Sequence, residues 1–194
     1  MTPATVLFDF ENSRPSSEAL IDQLLVLEKQ AKRERRIYGF DQLLGQWRLT
    51  FITGTKKAQK QAGNVLGKGR YLPGWVEIAI AYSEAADNDP AAEWQRGTVL
   101  NSVNIGLLNL AVSGCIKFQA QKRLLAFDFT HVTVKLGGVQ LYDGSMRGGD
   151  DAAAKFYETP ISKQPFFSYF YGSEQAIAAR GKGGGVALWT KLKD

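Results

Sequence analysis

Cys115 and His131 are the only cysteine and the only histidine in the chain, so any nucleophilic or imidazole chemistry must run through one of them. Ser113-Gly114-Cys115 has no companion base in its own segment. His131 sits between Thr130 and Val132 in a stretch that alternates like a strand. A Cys–His couple would need the fold to bring the two together. One cysteine excludes an intrachain disulfide and a cysteine cluster, and one histidine excludes a multi-histidine metal site. The close carboxylate pairs, Asp87 with Asp89 and Asp150 with Asp151, lack the ligand repeat of a calcium loop and read as surface turns. Gly181-Lys182-Gly183-Gly184-Gly185 imitates a phosphate loop, but it lacks the Walker spacing and a following helix, and reads as a hairpin turn. No catalytic set and no metal site is assigned, and no cofactor is required.

The residue types that remain are apolar and aromatic. Trp47, Phe51, Trp75, Phe127, Phe129 and Tyr169 lie on or beside strand-like runs, and we expect them to line a cavity for one small apolar ligand. Thirteen aromatic side chains are placed this way, and for any single one of them core filling is the better explanation. The segment that organises the rest is Gly45-Gln46-Trp47-Arg48-Leu49-Thr50-Phe51. It reads as a first strand entered through a glycine, with Trp47, Leu49 and Phe51 on one face at period two.

Before it, Ser16 or Ser17 caps an amphipathic helix over about Glu18–Arg36, within 16–37. Its stripe is Leu20, Leu24, Leu27 and Ala31. Its basic end, Lys32, Arg33, Arg35 and Arg36, is either solvated charge or a contact with an anionic membrane surface. After it come short alternating runs separated by Gly, Pro and Asn: Gly67–Tyr71, Trp75–Tyr82, Trp94–Ile105, Leu110–Gln119, Leu124–Leu136, Val139–Tyr142, Pro165–Tyr171, Gln175–Arg180 and Gly185–Leu192. Residues 54–61 form a basic connection that could edge a cavity mouth, and Asp143–Lys163 reads as loop. The spacing predicts a mainly β chain. Residues 43–194 would form an antiparallel meander of eight to nine strands closing as a barrel, within a single domain over 1–194.

The 194 residues are 44% hydrophobic and 11% aromatic, with a formal charge of +5. That supports a sizeable core and a preference for anionic surroundings. Nucleic-acid binding would need basic residues interleaved with exposed aromatics, and the helix stripe already accounts for the nearest case, Arg33 to Phe40. No apolar run reaches membrane-span length. The first eleven residues lack a basic n-region and turn acidic, unlike a signal or transit peptide.

Gly45-x-Trp47 on a first barrel strand resembles the lipocalin signature. Longer stretches are similar to one branch, the plastid-lipid-associated proteins or fibrillins of plastoglobules, of the type found in photosynthetic bacteria. These are Leu44–Phe51 with Gly54-Thr55, Val103-Asn104, the Lys117-Phe118 to Leu124 hairpin, Tyr171–Gly181 and Gly184–Trp189. The step that is Tyr-Leu-Asp in that family reads Tyr171-Gly172-Ser173 here, without the acid. The resemblance implies a lipocalin-like barrel in which Arg180 packs over Trp47 to form the floor with Gly45. It also implies a hydrophobic cargo (a prenylquinone, a carotenoid or a fatty acid) and a place on the cytoplasmic side of thylakoid membranes or on lipid globules. Two other functions fit the same residues. One is a lyase or isomerase acting on a bound chromophore through Cys115 or His131, and the other is a globule coat protein with a filled barrel.

Overall fold

The computed structural model of the protein describes residues 14–54, 69–89 and 92–192. Most of the basic connection expected over 54–61 lies outside them.

Helix α1 (Ser17–Arg33) starts where Ser16 accepts a hydrogen bond from the Ala19 N–H at 3.2 Å, which satisfies one of the donors a helix start leaves open. Leu20, Leu24, Leu27 and Ala31 are buried as one stripe. The helix stops one turn short of the expected Arg36, because Arg35 takes a left-handed conformation at φ 49°. Arg36 N–H then closes the end on the Ala31 carbonyl at 3.2 Å, a helix-terminating pattern. The early stop lets Tyr38 and Phe40 turn beneath the barrel and become buried.

Among the described residues eleven strands follow: β1 (Gly45–Ile52), β2 (Arg70–Tyr71), β3 (Val76–Glu84), β4 (Gln95–Ile105), β5 (Leu108–Gln119), β6 (Leu124–Phe127), β7 (His131–Leu136), β8 (Val139–Ser145), β9 (Phe166–Gly172), β10 (Ala176–Gly181) and β11 (Val186–Lys191). Eight of them close an antiparallel barrel in the order β1-β3-β4-β5-β6-β9-β10-β11, with β11 returning to β1. The mainly β architecture with an N-terminal helix is as the sequence predicts.

The path is not a simple meander. Strand β5 is long enough to serve two partners: Ile116–Gln119 pair with β6 inside the barrel, and Leu108–Ser113 pair with β7 outside it. The expected single strand over Leu124–Leu136 breaks at Asp128-Phe129-Thr130, where the chain crosses β5 at Gly114. A β-carbon on Gly114 would lie 2.0 Å from the Asp128 carbonyl oxygen, so only glycine permits the crossing. The β7–β8 hairpin and the far halves of β3, β4 and β5 thus project from the barrel as an open sheet.

The expected loop over Asp143–Lys163 contains helix α2 (Gly149–Phe156). Its acidic first turn, Asp150 and Asp151, and basic Lys155 suit the helix dipole, which is a reason for those two carboxylates beyond a surface turn. Lys117 anchors the far end of α2. Its ammonium donates to the carbonyls of Phe156, Tyr157 and Thr159 at 3.3, 3.2 and 2.7 Å. Loss of water around it holds its pKa below the ordinary lysine value.

Two apolar clusters result. One fills the barrel around Trp47, Tyr82, Phe118, Tyr169 and Trp189. The other lies outside, where the α1 stripe covers Phe51, Phe170, Ala178, Val186 and Leu188.

Candidate functional site: the open end of the barrel

One end of the barrel is sealed. Trp47 is 1% exposed, its indole N–H donates to the Leu43 carbonyl at 2.7 Å, and Phe40 stacks on Phe118 with ring centres 5.6 Å apart. Above this floor the hydroxyls of Tyr82 and Tyr169 share a hydrogen bond of 2.8 Å. Burial, the largest cause, pushes both phenol pKa values up, so they stay neutral. The cation over Trp47 is Lys191, 4.3 Å from the ring centre, held by the Leu44 carbonyl at 2.8 Å.

Arg180, expected over Trp47, is elsewhere. It lies at the start of the turn into β11, pairs with Val186 across the sheet, and faces outward to α1. Its Nε donates to Glu28 Oε1 at 2.8 Å, its Nη2 donates to Glu28 Oε2, and its Nη1 donates to the Gly184 carbonyl. The pair pulls the Glu28 carboxyl below its ordinary value, the Arg180 hydrogen bond being the first cause. Strand register explains the difference: Trp47 pairs with Lys191, at the other end of β11 from Val186. Gly45, at φ 99°, does stand beside this floor, where a β-carbon would lie 2.4 Å from Lys191 Nζ.

Phe51 is also corrected. A bulge between Leu49 and Phe51 inserts one residue and breaks the period of two, so Trp47 and Leu49 point inward while Phe51 points out beneath α1. Trp75 is 71% exposed on the turn before β3 and lines no enclosed space. Tyr169 is interior, as expected, but belongs to the packed floor.

At the opposite end, among the described residues, the aromatic side chains are only half-buried. Phe127 stacks on Phe167 at 5.0 Å and leans on Phe129 at 5.3 Å, while Phe167 meets Trp189 edge-on at 5.4 Å. Phe127, Phe129, Phe167 and Ile78 are only partly buried against the core.

From this rim the interior surface continues onto the projecting sheet. Cross-strand register makes its rows explicit: Tyr82, Val99 and Gly114; then Ile80, Asn101, Val112 and Val132. Beyond them come Ile78, Val103, Leu110, Val134 and Tyr142; then Val76, Ile105, Leu108, Leu136 and Val139. Residues opposite one another in a ladder share a face, so the wall that lines the barrel becomes an apolar shelf outside it. Leu110 and Tyr142 there are 39% and 52% exposed. The alternation in β3 and β4 was visible in the sequence. How far it runs past the closed barrel depends on pairing with β5 and β7, which no local pattern records.

The other face of the shelf is polar and internally satisfied. Asn104 donates to Glu77 at 2.9 Å and accepts from Asn109. His131 Nε2 and Thr133 Oγ1 meet Asp143 Oδ1 at 2.5 and 2.9 Å, which lowers the Asp143 pKa, the His131 hydrogen bond being the first cause. Cys115 lies on β5 beside Tyr157, its thiol pKa pushed up by burial, which disfavours the thiolate a nucleophile needs. His131 pairs across the strands with Ser113 rather than Cys115.

The basic residues Lys32, Arg33, Arg35 and Arg36 are exposed at the end of α1. Lys32 pairs with Glu28 at 3.2 Å and Arg36 with Glu34 at 2.6 Å. Among the described residues no group of three or more His, Cys, Asp or Glu is placed to hold a metal, and no helix is long and apolar enough to cross a membrane. No protein-family model, curated protein or solved structure matches this chain.

Proposed function

We propose that the protein binds a hydrophobic small molecule at the open end of its barrel, between the Phe127–Phe129–Phe167 rim and the inner rows of the shelf. The observation that carries this reading is the continuity of the inner wall into solvent: an apolar surface that begins in the core and ends uncovered. A ligand laid along it gains roughly 25 cal/mol per Å² of apolar area removed from water. The closed end, with its interlocked Trp47, Tyr82 and Tyr169, supplies rigidity rather than space.

Binding, not turnover, is the reading we favour, because Cys115 and His131 lie on the polar outer face of β5 and β7, away from the aromatic rim. The resemblance to plastid-lipid-associated proteins supports a prenylquinone, carotenoid or fatty acid as the cargo, and thylakoid membranes or lipid globules as the place. The exposed arginines at the end of α1 favour peripheral contact with an anionic surface there.

Titration of the purified protein with a short-chain prenylquinone, a carotenoid and a fatty acid tests the reading. Saturable quenching of tryptophan emission is expected for at least one of them, with Trp189 as the reporter behind Phe167. Unsaturable, purely collisional quenching by all three would overturn it.

A further inference from the structure

We infer that the shelf is the contact surface of a homodimer, in which two copies pack their apolar sheet faces together as a two-layer sandwich. The shelf is a sheet with one polar, internally hydrogen-bonded face and one apolar face that no described element covers. Antiparallel sheets tolerate water on one face, and that face is ordinarily the polar one. Here helix α2 sits on the outer side of β4–β5, through Lys117 and its carbonyls, and α1 lies against β9–β11. Among the described residues nothing covers the apolar side.

Its size sets the class of partner. On its two outer rows Ile105, Leu108, Leu110, Leu136, Val139 and Tyr142 are 42, 41, 39, 48, 65 and 52% exposed. At about 200 Å² for a large apolar side chain they leave roughly 570 Å² in water, and the half-buried Val76, Ile78, Val103 and Val134 of the same rows add to it. The largest patch on a monomeric protein is about 300–600 Å², and a standard interface takes about 800 Å² from each partner.

Its pattern favours a second copy. Facing sheets in a sandwich interdigitate apolar rows about 10 Å apart, and the shelf presents two successive rows without a charged side chain, from Val76 to Val139 and from Ile78 to Tyr142. A surface that is its own complement gives an isologous, closed dimer. The face is used rather than the edge, because β8 carries a bulge opposite Val134–Lys135, a common guard against strand addition.

A lipid surface is the less fitting occupant. The cations suited to phosphate headgroups, Arg33, Arg35 and Arg36, follow the end of α1. That end is tied to the β5–β6 turn by Arg123, which donates to the Ala31 carbonyl at 2.5 Å, so it stands at the sealed end, away from the shelf.

The inference requires no ligand and stands apart from the binding reading. Sedimentation equilibrium of the full chain, without additives, tests it. A dimer is expected at micromolar concentration. Leu136→Lys with Val139→Lys, both at exposed positions on the apolar face, should raise its dissociation constant at least tenfold. Leu100→Lys, 46% exposed on the opposite face, should leave the dimer intact and serves as the control. A monomer throughout, a dimer indifferent to the double variant, or a monomer that sediments with anionic vesicles through the shelf residues would each overturn it.

Discussion

At the Trp47 end the barrel is closed by side chains that satisfy one another: an indole on a carbonyl, two phenols on each other, a lysine over a ring. At the Phe129 end the same inner wall runs past its last barrel partner and stops in water. Both ends are built from alternating strands with aromatic residues facing inward, so composition does not separate them. The difference is topological. Strand β5 has a barrel partner for four residues and a different partner for six, and among the described residues nothing lies opposite the surface beyond Gly114. A closed end therefore contributes stability, and an open end contributes a surface.

That contrast can be broken most sharply by truncation. Trp47→Ala should cost about 3–5 kcal/mol of unfolding free energy in urea, the range for a buried aromatic. Leu110→Ser on the shelf, measured below the concentration at which the chain dimerises, should cost well under half of that, because 39% of Leu110 is then already in water. Equal losses would mean that the shelf is covered by part of the same chain.

A smaller effect is expected at the strap between α1 and the barrel. Glu28→Gln should cost about 2 kcal/mol, below the ~3–5 kcal/mol for a fully buried pair, because 28% of the Arg180 side chain remains in water. Its pH dependence has a definite sign. The folded-state pKa of Glu28 lies below the ordinary 4.5. The pair therefore stabilises the fold fully above that value, and its contribution is lost as pH falls through the folded pKa. Urea midpoints measured between pH 7 and pH 3 should fall less steeply for Glu28→Gln than for the parent chain. The smallest effect belongs to Val139→Lys, which should leave stability unchanged within about 0.5 kcal/mol while weakening the dimer.

Much of this was legible in the sequence, for identifiable reasons. The Ser16 cap, the Leu20–Ala31 stripe and the inward Trp47 follow from local periodicity and capping chemistry. The fate of Phe51 does not, because a bulge at Thr50 shifts the face and leaves no local mark. Arg180 was misplaced for a related reason: the lipocalin analogy fixes a partner by chain position, whereas cross-strand register puts Lys191 over Trp47 and turns Arg180 toward Glu28. Helix α2 had a signal of its own in Asp150-Asp151-Ala152-Ala153-Ala154-Lys155, outweighed by the glycines before it. The shelf needed the pairing of β5 with both β6 and β7, a relation between residues distant in the chain.

The most direct test of the ligand site compares two variants in one binding titration against the prenylquinone, or against whichever of the three probes saturates. Val112→Asn on the inner row of the shelf should weaken binding at least tenfold, since it places an amide on the proposed contact wall. Tyr169→Phe at the sealed floor should leave the dissociation constant within about twofold, since nothing is proposed to bind there. The opposite ranking, with the floor variant impaired and the shelf variant unaffected, would put the ligand inside the barrel and contradict the account.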